Sequence, residues 1–269
     1  MYKIAAIQTN STDNLKLNLL KASDLLRQAA AKGAELALLP ENFAYFQSKP
    51  GQLIKYAENP ASGPIQEFLQ QSARDLKIWI IGGSLLIRGP DNKIYNRCIV
   101  YDSKGQEVDF YNKIHLFDVN IENGEQHTES AEAIAGDKPV TVPTPFGKIG
   151  LSICYDLRFP CLYQRLMKMG AQIIVVPAAF TKVTGQAHWQ VLLRARAIET
   201  QTFVVAAAQT GLHPGGRQTF GHSMLVSPWG EIIGKLDTNP GVLLGEINLS
   251  ELKRIRQSMP VHEHQTNID

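Results

Sequence analysis

The sequence has few cysteines and no long apolar run, and both shortages exclude classes of protein. Three cysteines in 269 residues, without a CxxC pair, predict neither a disulfide framework nor a zinc cluster. No apolar run approaches the roughly 20 residues that span a bilayer. The first residues also lack the charged, apolar and small-residue zones of a signal peptide. We therefore expect a cytoplasmic protein that binds no metal and does not enter a membrane.

The sequence also lacks an excess of charge of either sign. Its 27 basic and 25 acidic residues are mixed along the chain and leave a formal net charge of +2. Because no basic stripe is present, nucleic acid is not an expected partner. The GxSxG, Walker and GxGxxG motifs are absent too. Serine α/β-hydrolase, P-loop and dinucleotide-binding folds are thereby excluded, and no cofactor is expected.

What the sequence does contain is a recurrence of helix–strand units. Apolar residues spaced by three and four from Leu15 to Ala29 predict a helix that opens after Asn14. A buried strand is predicted over 35–40. Two further units are predicted in the same way, a helix at 64–75 with a strand at 78–82 and a helix near 160–169 with a strand at 172–177. The pattern predicts one α/β domain over residues 1–269, with sheets inside and helices outside.

The first and third units share a spacing. Gly33 and Gly170 each precede an alanine and an apolar run, and the run ends at a proline seven residues after the glycine, Pro40 and Pro177. The match suggests an internally pseudo-symmetric architecture.

Strand pairs and one irregular region complete the chain. Turn residues separate predicted strands at 94–101 and 107–111 and at 223–227 and 231–235, and a further strand is predicted at 242–247. The least regular region, 118–139, contains the turn residues Asn123 and Gly124. A loop of that length inside a compact domain is usually functional.

Cys154 stands where a strand gives way to a turn. The segment 149–153 is predicted as a buried strand, and 155–160 turns toward the next helix. Amides at a helix N-terminus lower the pKa of a thiol and can bind an oxyanion, so Cys154 is a candidate nucleophile. A buried packing thiol fits the same position, and that is our interpretation of Cys98 and Cys161.

Two charged residues occupy comparable places. Glu41 follows a buried strand, at the end of a sheet where α/β proteins put their sites. Lys113 closes the strand at 107–111 and precedes an apolar stretch, Ile114-His-Leu-Phe117, which is unusual beside a surface lysine. Taken alone, each is more simply a solvated surface charge.

Together these residues belong to three ordered motifs: Leu-Leu-Pro-Glu41, Tyr-Asn-Lys113-Ile-His-Leu-Phe and Gly-Leu-Ser-Ile-Cys154-Tyr-Asp-Leu-Arg-Phe-Pro. On these motifs the chain resembles the nitrilase superfamily of carbon–nitrogen hydrolases over essentially its whole length. The resemblance implies a four-layer α-β-β-α sandwich, a homodimer formed through a helical face, and a small-molecule amide as substrate. Glu129 resembles the second glutamate that orients the lysine and the attacking water. Arg158 resembles the arginine with which some relatives bind a substrate carboxylate, although a structural ion pair would also explain it.

Amide hydrolysis needs this set of groups. Cys154 would attack the carbonyl carbon while Glu41 takes the thiol proton. The Lys113 ammonium and the backbone N–H of Tyr155 would hold the oxyanion. Glu41 would then protonate the departing nitrogen and activate water against the thioester. We expect burial to raise the pKa of Glu41 toward neutrality.

The second half of the chain is similar to the deaminated glutathione amidases, a branch of that superfamily. The similar stretches are 177–181, 187–201, 205–209, 221–224 and 258–262, and the first contains Phe180 as a candidate substrate-binding residue. The similarity implies hydrolysis of deaminated glutathione to 2-oxoglutarate and cysteinylglycine. The alternative is an ω-amidase acting on 2-oxoglutaramate, which has the same five-carbon dicarboxylate core. The loop at 217–220 is a candidate for shaping the leaving-group side.

Two other classes stay open from the sequence. A catalytically idle relative would serve as a scaffold, although it has no physical reason to keep a buried charged pair. A cysteine peptidase would need a histidine base beside the thiol, for which His115 is the candidate. His188 and Trp189 are predicted to open a helix with a structural role. His262 and His264 lie in a polar tail that lacks the remaining ligands of a metal site.

Overall fold

The computed structural model describes residues 1–47, 51–120, 126–264 and 266. Within these ranges the helices are α1 (Leu15–Ala31), α2 (Leu53–Tyr56), α3 (Pro64–Leu76), α4 (Pro160–Lys168), α5 (Lys182–Thr200) and α6 (Leu249–Ser258). The strands are β1 (Tyr2–Gln8), β2 (Leu36–Leu38), β3 (Trp79–Ile81), β4 (Leu85–Arg88), β5 (Ile94–Tyr101), β6 (Glu107–Asn112), β7 (Asp118–Asn120), β8 (Gln126–Thr128), β9 (Thr141–Thr144), β10 (Gly147–Leu151), β11 (Ile173–Ala178), β12 (Phe203–Ala208), β13 (Thr210–Leu212), β14 (Gln218–Phe220), β15 (Met224–Val226), β16 (Ile232–Lys235) and β17 (Gly241–Ile247).

The first sheet has parallel strands at its centre and antiparallel strands at its edges. Its order is β17-β1-β2-β3-β5-β4, and β6 also pairs with β5. Strands β1, β2 and β3 run parallel, with Ile4 opposite Leu36 and Leu36 opposite Trp79. Central parallel strands are buried on both faces, which is why β2 and β3 are apolar throughout.

The second sheet repeats this arrangement. Its order is β16-β15-β12-β11-β10-β9, and β10, β11 and β12 run parallel. The helices that lead into β2 and β11 end alike, at Gly33 with φ 86° and at Gly170 with φ 89°. Glycine adopts this left-handed conformation without a steric penalty. The repeated glycine spacing in the sequence therefore corresponds to a repeated helix end and strand direction.

Side chains alternate between two apolar layers along β1. Ile4 and Ala6 pack into a cluster shared with the second sheet, whereas Ala5 and Ile7 pack with Leu26 of α1. Helix α3 lies beside α1, and α4 and α5 pack against the second sheet. The layers are therefore helices, sheet, sheet and helices, in the order that the resemblance implied. Because the two sheets share one apolar cluster, we propose that residues 1–269 form a single domain.

One expectation about local structure holds in part and one is wrong. Region 118–139 contains two short antiparallel strands, β7 and β8, and a short 3₁₀ helix, Glu129–Ala131, while residues 134–139 are irregular as expected. The turn residues 123–124 lie outside the described residues. Helix α5 begins six residues before His188, so His188 and Trp189 lie inside it and do not open it.

The cysteines differ in exposure. Cys98 is fully buried in β5, as expected of a packing thiol. Cys161 is exposed, against expectation, because α4 buries its other face through residues such as Leu162 and Leu166. Among the described residues, no helix combines the length and the apolar character that crossing a membrane requires.

Candidate active site

Strand ends from both sheets place polar groups at one point. Glu41 follows β2 and Lys113 follows β6 in the first sheet, while Cys154 and Ala179 follow β10 and β11 in the second sheet. The carboxyl ends of parallel strands meet at one edge of a sheet, where α/β proteins build sites. The two sheets therefore each supply part of the same constellation.

The Glu41 carboxylate is buried and receives three hydrogen bonds. Its Oε1 accepts from Lys113 Nζ at 3.0 Å and from Asn96 Nδ2 at 3.0 Å, and its Oε2 accepts from the backbone N–H of Ala179 at 2.9 Å. Only 3% of Glu41 is exposed. A buried carboxylate with so many donors is held in one orientation and in its charged form.

Lys113 lies between two carboxylates. Its Nζ is 3.0 Å from Glu41 Oε1 and 2.8 Å from Glu129 Oε2. Glu129 also accepts from Asn96 Nδ2 at 3.2 Å and from the backbone N–H of Phe117 at 2.7 Å. The ammonium is therefore fixed from two sides, and the structure brings Glu129 beside Lys113, where the resemblance implies it should lie.

Cys154 begins a tight 3₁₀ turn, Cys154–Arg158, directly beyond the end of β10. Its φ is 48°, a left-handed conformation that is strained for a residue with a side chain. Buried Asp156 holds this turn by accepting hydrogen bonds from the Ile153 N–H at 2.8 Å and the Tyr111 hydroxyl at 2.8 Å. The turn that aims the thiol is thus tied to β6 of the other sheet.

The charge states of the three groups depend on one another. Burial raises the pKa of the Cys154 thiol well above its ordinary value, and the Glu41 charge adds to this. Burial also raises the pKa of Glu41, but the Lys113 ammonium and the hydrogen bonds outweigh burial and leave that pKa below its ordinary value. Burial lowers the pKa of Lys113, but the charges of Glu129 and Glu41 raise it above its ordinary value. The resting site therefore holds a neutral thiol, a carboxylate and an ammonium.

Two pKa expectations are corrected by this result. The thiol pKa of Cys154 is raised where the sequence predicted a lowered value, because burial and the Glu41 charge outweigh the opposing effect of the Lys113 ammonium. The pKa of Glu41 is lowered where burial alone predicted a rise toward neutrality, because an ammonium lies 3.0 Å away. The proton consequently rests on sulfur until a substrate arrives.

A narrow cavity opens beside the thiol. Its lining includes Cys154 and the three residues predicted to bind substrate, Tyr155, Arg158 and Phe180. The Arg158 guanidinium lies 5.1 Å above the Phe180 ring, and its Nη1 is 3.2 Å from His188 Nδ1. The structure therefore brings these residues to one cavity, and their roles in binding stay predictions.

Several residues of the site carry no catalytic signal in the sequence. Asn96 is a polar residue in the otherwise largely apolar β5, a weak signal that could have been noticed. Ala179 contributes only its backbone N–H, so its side chain reveals nothing. Arg217 also lines the cavity, directly before β14. Residues 218–220 therefore form a strand, where the sequence predicted a loop that shapes the leaving-group side.

The His115 ring contacts Asp156 and Phe159. Its Nδ1 is 2.7 Å from Asp156 Oδ1, and its ring stacks on Phe159 with centroids 3.7 Å apart. The charged groups that act on the Cys154 thiol are Glu41 and Lys113. This arrangement favours a carboxylate base over the histidine base of a cysteine peptidase.

Known proteins resemble this chain over nearly its whole length. The sequence model of the carbon-nitrogen hydrolase family matches residues 3–257. A deaminated glutathione amidase of Synechocystis sp. (strain PCC 6803 / GT-S) is 44% identical over 271 residues, with 99% of each chain covered. The crystal structure of the C. elegans NitFhit protein is 39% identical with a TM-score of 0.92, and the match covers 98% of this chain but only 65% of that one. Saccharomyces cerevisiae Nit3, a member of branch 10 of the nitrilase superfamily, is 30% identical with a TM-score of 0.87, covering 96% and 94%. The predicted nitrilase-type sandwich is confirmed.

Proposed function

This chain belongs to the carbon-nitrogen hydrolase family, and from that premise we propose that it hydrolyses deaminated glutathione to 2-oxoglutarate and cysteinylglycine. The relative that is 44% identical over 99% of both chains is named a deaminated glutathione amidase, which supports the same substrate here. The observation that carries the chemistry is the buried Glu41–Lys113 ion pair beside the Cys154 thiol. An amide carbon resists attack, and this trio supplies a nucleophile, a base and a cation.

In the first half-reaction, the Cys154 sulfur attacks the amide carbonyl carbon as its proton passes to the Glu41 carboxylate. Negative charge develops on the carbonyl oxygen, where the Lys113 ammonium and the Tyr155 backbone N–H stabilise it. The carbon–nitrogen bond then breaks as Glu41 returns the proton to the departing nitrogen. A thioester of the acyl group remains on Cys154.

In the second half-reaction, water attacks the thioester while Glu41 accepts its proton. The carbon–sulfur bond breaks, the proton returns to sulfur, and the acid leaves. Glu129 contributes by fixing the Lys113 ammonium at 2.8 Å, so that one cation serves both oxyanions. Three hydrogen bonds keep the Glu41 carboxylate in place between the two steps.

The acyl portion of the substrate ends in a carboxylate beside a ketone. Arg158 follows the nucleophile by four residues and lines the same cavity, so we assign it to this carboxylate, with Phe180 as the wall against the aliphatic carbons. Arginine suits the task because its planar fork binds a carboxylate through two hydrogen bonds.

One observation favours a second candidate function. The cavity beside Cys154 is narrow, and a narrow cavity favours a small dicarboxylate amide such as 2-oxoglutaramate over a larger peptide-like substrate. An ω-amidase would use the same trio and release ammonia instead of a dipeptide.

A side-by-side assay separates the two. Purified protein is given deaminated glutathione or 2-oxoglutaramate, and 2-oxoglutarate release is followed by mass spectrometry. We expect a much larger kcat/KM for deaminated glutathione, and no product from either substrate with Cys154→Ala. Equal or reversed values would overturn the assignment of substrate and leave amide hydrolysis standing.

A scaffold without activity is tested by the reactivity of Cys154. Because Cys161 is exposed and would react by itself, the experiment uses a Cys161→Ser background. Intact mass after iodoacetamide treatment should show one adduct that is absent in Cys154→Ala and forms more slowly in Glu41→Gln. A Cys154 thiol that forms no adduct would support the scaffold.

The same proposal includes a homodimer and a cytoplasmic location. Val191 and Ile198 on α5 are 67% and 45% exposed, and nearby Trp229 is 54% exposed. An apolar helical surface of this kind supports a homodimer formed through that face. A nucleophilic thiol and the exposed Cys161 suit a reducing cytoplasm. Light scattering of Val191→Glu against the parent protein tests the dimer, which should dissociate.

A further inference from the structure

A second arginine, Arg217, lines the cavity from a segment that is distant in sequence from Arg158. Arg217 precedes β14 in the β13–β14 hairpin, and it lines the same cavity as Cys154. Its Nη2 donates to the Ala179 carbonyl oxygen at 2.8 Å. The N–H of that same Ala179 holds Glu41 Oε2 at 2.9 Å. Two hydrogen bonds and one residue therefore join the guanidinium to the catalytic carboxylate, a path of at most about 9 Å.

The Arg217 guanidinium is held in place and still has an N–H donor without an acceptor in the described part of the chain. Its central carbon lies 5.3 Å from the Phe46 ring centroid and 6.0 Å from that of Phe117. His213, at the other end of the same loop, stacks on Phe46 with centroids 3.9 Å apart. Within the described residues, the buried Nε of Arg217 has no hydrogen-bond partner. Arginine has five N–H donors, and a buried donor without an acceptor is costly, so this group is prepared for an anion.

The position of Glu41 indicates which end of the substrate Arg217 would meet. Glu41 must reach the departing nitrogen in order to protonate it, so the leaving amine lies on the Glu41 side of the thiol. The charge of Arg217 acts on Glu41 directly. Arg158 instead belongs to the turn that carries Cys154 and lies against Phe180 and His188. The two arginines therefore line the cavity from different elements, Arg158 beside the nucleophile and Arg217 through a contact to the residue that holds Glu41.

We propose that Arg217 binds the terminal carboxylate of the leaving amine, and that it makes the enzyme select amides of a carboxylate-bearing dipeptide over primary amides that release ammonia. This assignment rests on the proposed function. Two extended residues span about 7 Å, which lies within the upper limit of about 9 Å for the path between the Glu41 carboxylate and the guanidinium. Cysteinylglycine is a leaving group of that length with a carboxylate at its end.

The test compares three amides with one acyl group. They are deaminated glutathione, its analogue with a carboxamide in place of the glycine carboxylate, and 2-oxoglutaramate. In the wild type, kcat/KM should fall about 10- to 100-fold from the carboxylate to the carboxamide, the value of a hydrogen bond to a charged group. For Arg217→Met we compare each kcat/KM with that for 2-oxoglutaramate. The value for deaminated glutathione should fall by a similar factor relative to 2-oxoglutaramate. The value for the carboxamide should not fall relative to 2-oxoglutaramate.

The variants are chosen to separate binding from other effects. Arg217→Lys keeps the charge felt by Glu41 but loses the fork, and it should show an intermediate ratio. Arg74→Gln removes an exposed arginine that donates to the Lys104 carbonyl and should leave every ratio unchanged. Because ratios are compared within one protein preparation, a partly unfolded variant does not change them.

The outcomes distinguish this inference from the proposed function. A wild-type protein that prefers 2-oxoglutaramate overturns the proposed function before any variant is made. A wild-type protein that prefers deaminated glutathione but hydrolyses the carboxamide equally well overturns the role of Arg217, even where Arg217→Met does not fold. The role of Arg217 is also overturned if Arg217→Met slows the hydrolysis of all three amides by one factor.

Discussion

The Glu41 carboxylate loses its proton more readily than an ordinary glutamate, and this sets the acid limit expected for activity. Its pKa lies below the ordinary value of 4.5 because Lys113 and the hydrogen bonds outweigh burial. Since kcat/KM reports ionisation of the free enzyme, we expect kcat/KM to stay level from about pH 8 to about pH 5. The decline should begin only below the ordinary glutamate value.

The measurement must separate ionisation from unfolding. Short assays at each pH are paired with samples returned to neutral pH, and only reversible losses are attributed to Glu41. Glu41→Gln should lower kcat/KM by about 10²- to 10⁴-fold and abolish the acid decline. A wild-type decline centred near neutrality would mean that burial dominates and that the Lys113 contact is absent in solution.

Residue identities in the site were more predictable from sequence than their charge states. Glu41, Lys113 and Cys154 stand in motifs at strand ends, and the structure brings them together. Burial alone would raise the pKa of Glu41, and the Lys113 ammonium 3.0 Å away reverses that direction. No spacing along the chain reveals this contact. Ala179 could not be predicted at all, since it acts through its main chain.

At the scale of single elements, the β13–β14 hairpin is anchored by a buried neutral histidine. His213 Nδ1 lies 2.8 Å from the Ser11 carbonyl oxygen, which can only accept, so Nδ1 carries the proton. Nε2 then accepts from the Thr219 hydroxyl at 2.7 Å. Burial lowers the pKa of His213 from 6.5 to about 4. The histidine therefore stays neutral in the folded protein at pH values where the unfolded chain takes up a proton.

This difference predicts a loss of stability in acid. Because the folded pKa of His213 is below the unfolded one, its contribution is complete above pH 6.5 and is lost as pH falls toward 4. The free energy of unfolding should fall by about 3 kcal/mol from this group over that interval. Denaturant titrations at several pH values check it, with His213→Asn giving a shallower pH dependence. The exposed His264→Asn should retain the wild-type slope, and equal slopes in all three proteins would refute the prediction.

Helix α5 illustrates why one boundary was mispredicted. Its first turns contain Gly185, and an interior glycine indicates a helix break in a sequence. In the structure, Gly185 faces Phe220 of β14, and a Cβ at position 185 would overlap the Phe220 side chain. The glycine therefore permits close packing of helix and hairpin, a tertiary contact that local periodicity does not encode.

Substitution at this contact should disturb the hairpin that carries Arg217. Gly185→Ala gains helix propensity, but we expect overpacking against Phe220 to cost more, a net loss of about 1–3 kcal/mol. Activity toward deaminated glutathione should fall as well, because β14 begins one residue after Arg217. Thermal unfolding and kcat/KM provide the readouts. Phe220→Gly removes the Cβ that the new methyl group would meet. In a Phe220→Gly background, Gly185→Ala should therefore cost less stability than it does in the parent protein. A Gly185→Ala variant that is more stable than the parent would contradict the packing argument.

At the scale of the whole molecule, the site requires both sheets at once. Glu41 and Lys113 come from the first sheet, and Cys154 and Ala179 come from the second. The sequence predicted helices and strands by periodicity, but continuous apolar strands such as β2 and β11 do not reveal which sheet they join. The order of the layers came from the resemblance, and the internal repeat supported it only through the two glycines that end α1 and α4.

A catalytic site shared between two sheets should be lost only with the whole fold. The sheets share one apolar cluster, and Trp79 of β3 contacts Phe146, beside β10, with ring centroids 6.0 Å apart. Trp189 is buried in α5 on the far side of the second sheet. If residues 1–269 form one domain, both tryptophans must report one cooperative transition.

Proteins that retain a single tryptophan test this directly. One keeps Trp79 and the other keeps Trp189, with phenylalanine at the remaining tryptophan positions, including Trp229. In each protein, the fluorescence, the far-ultraviolet circular dichroism and the activity should change at the same denaturant concentration, because unfolding either sheet exposes the apolar face of the other. If the chain is a dimer, the denaturant midpoint should depend on the protein concentration, and the midpoints of all three signals should shift together. The prediction fails if the fluorescence of the Trp79 protein changes at a clearly different denaturant concentration from its circular dichroism. That result would show two independently folding halves.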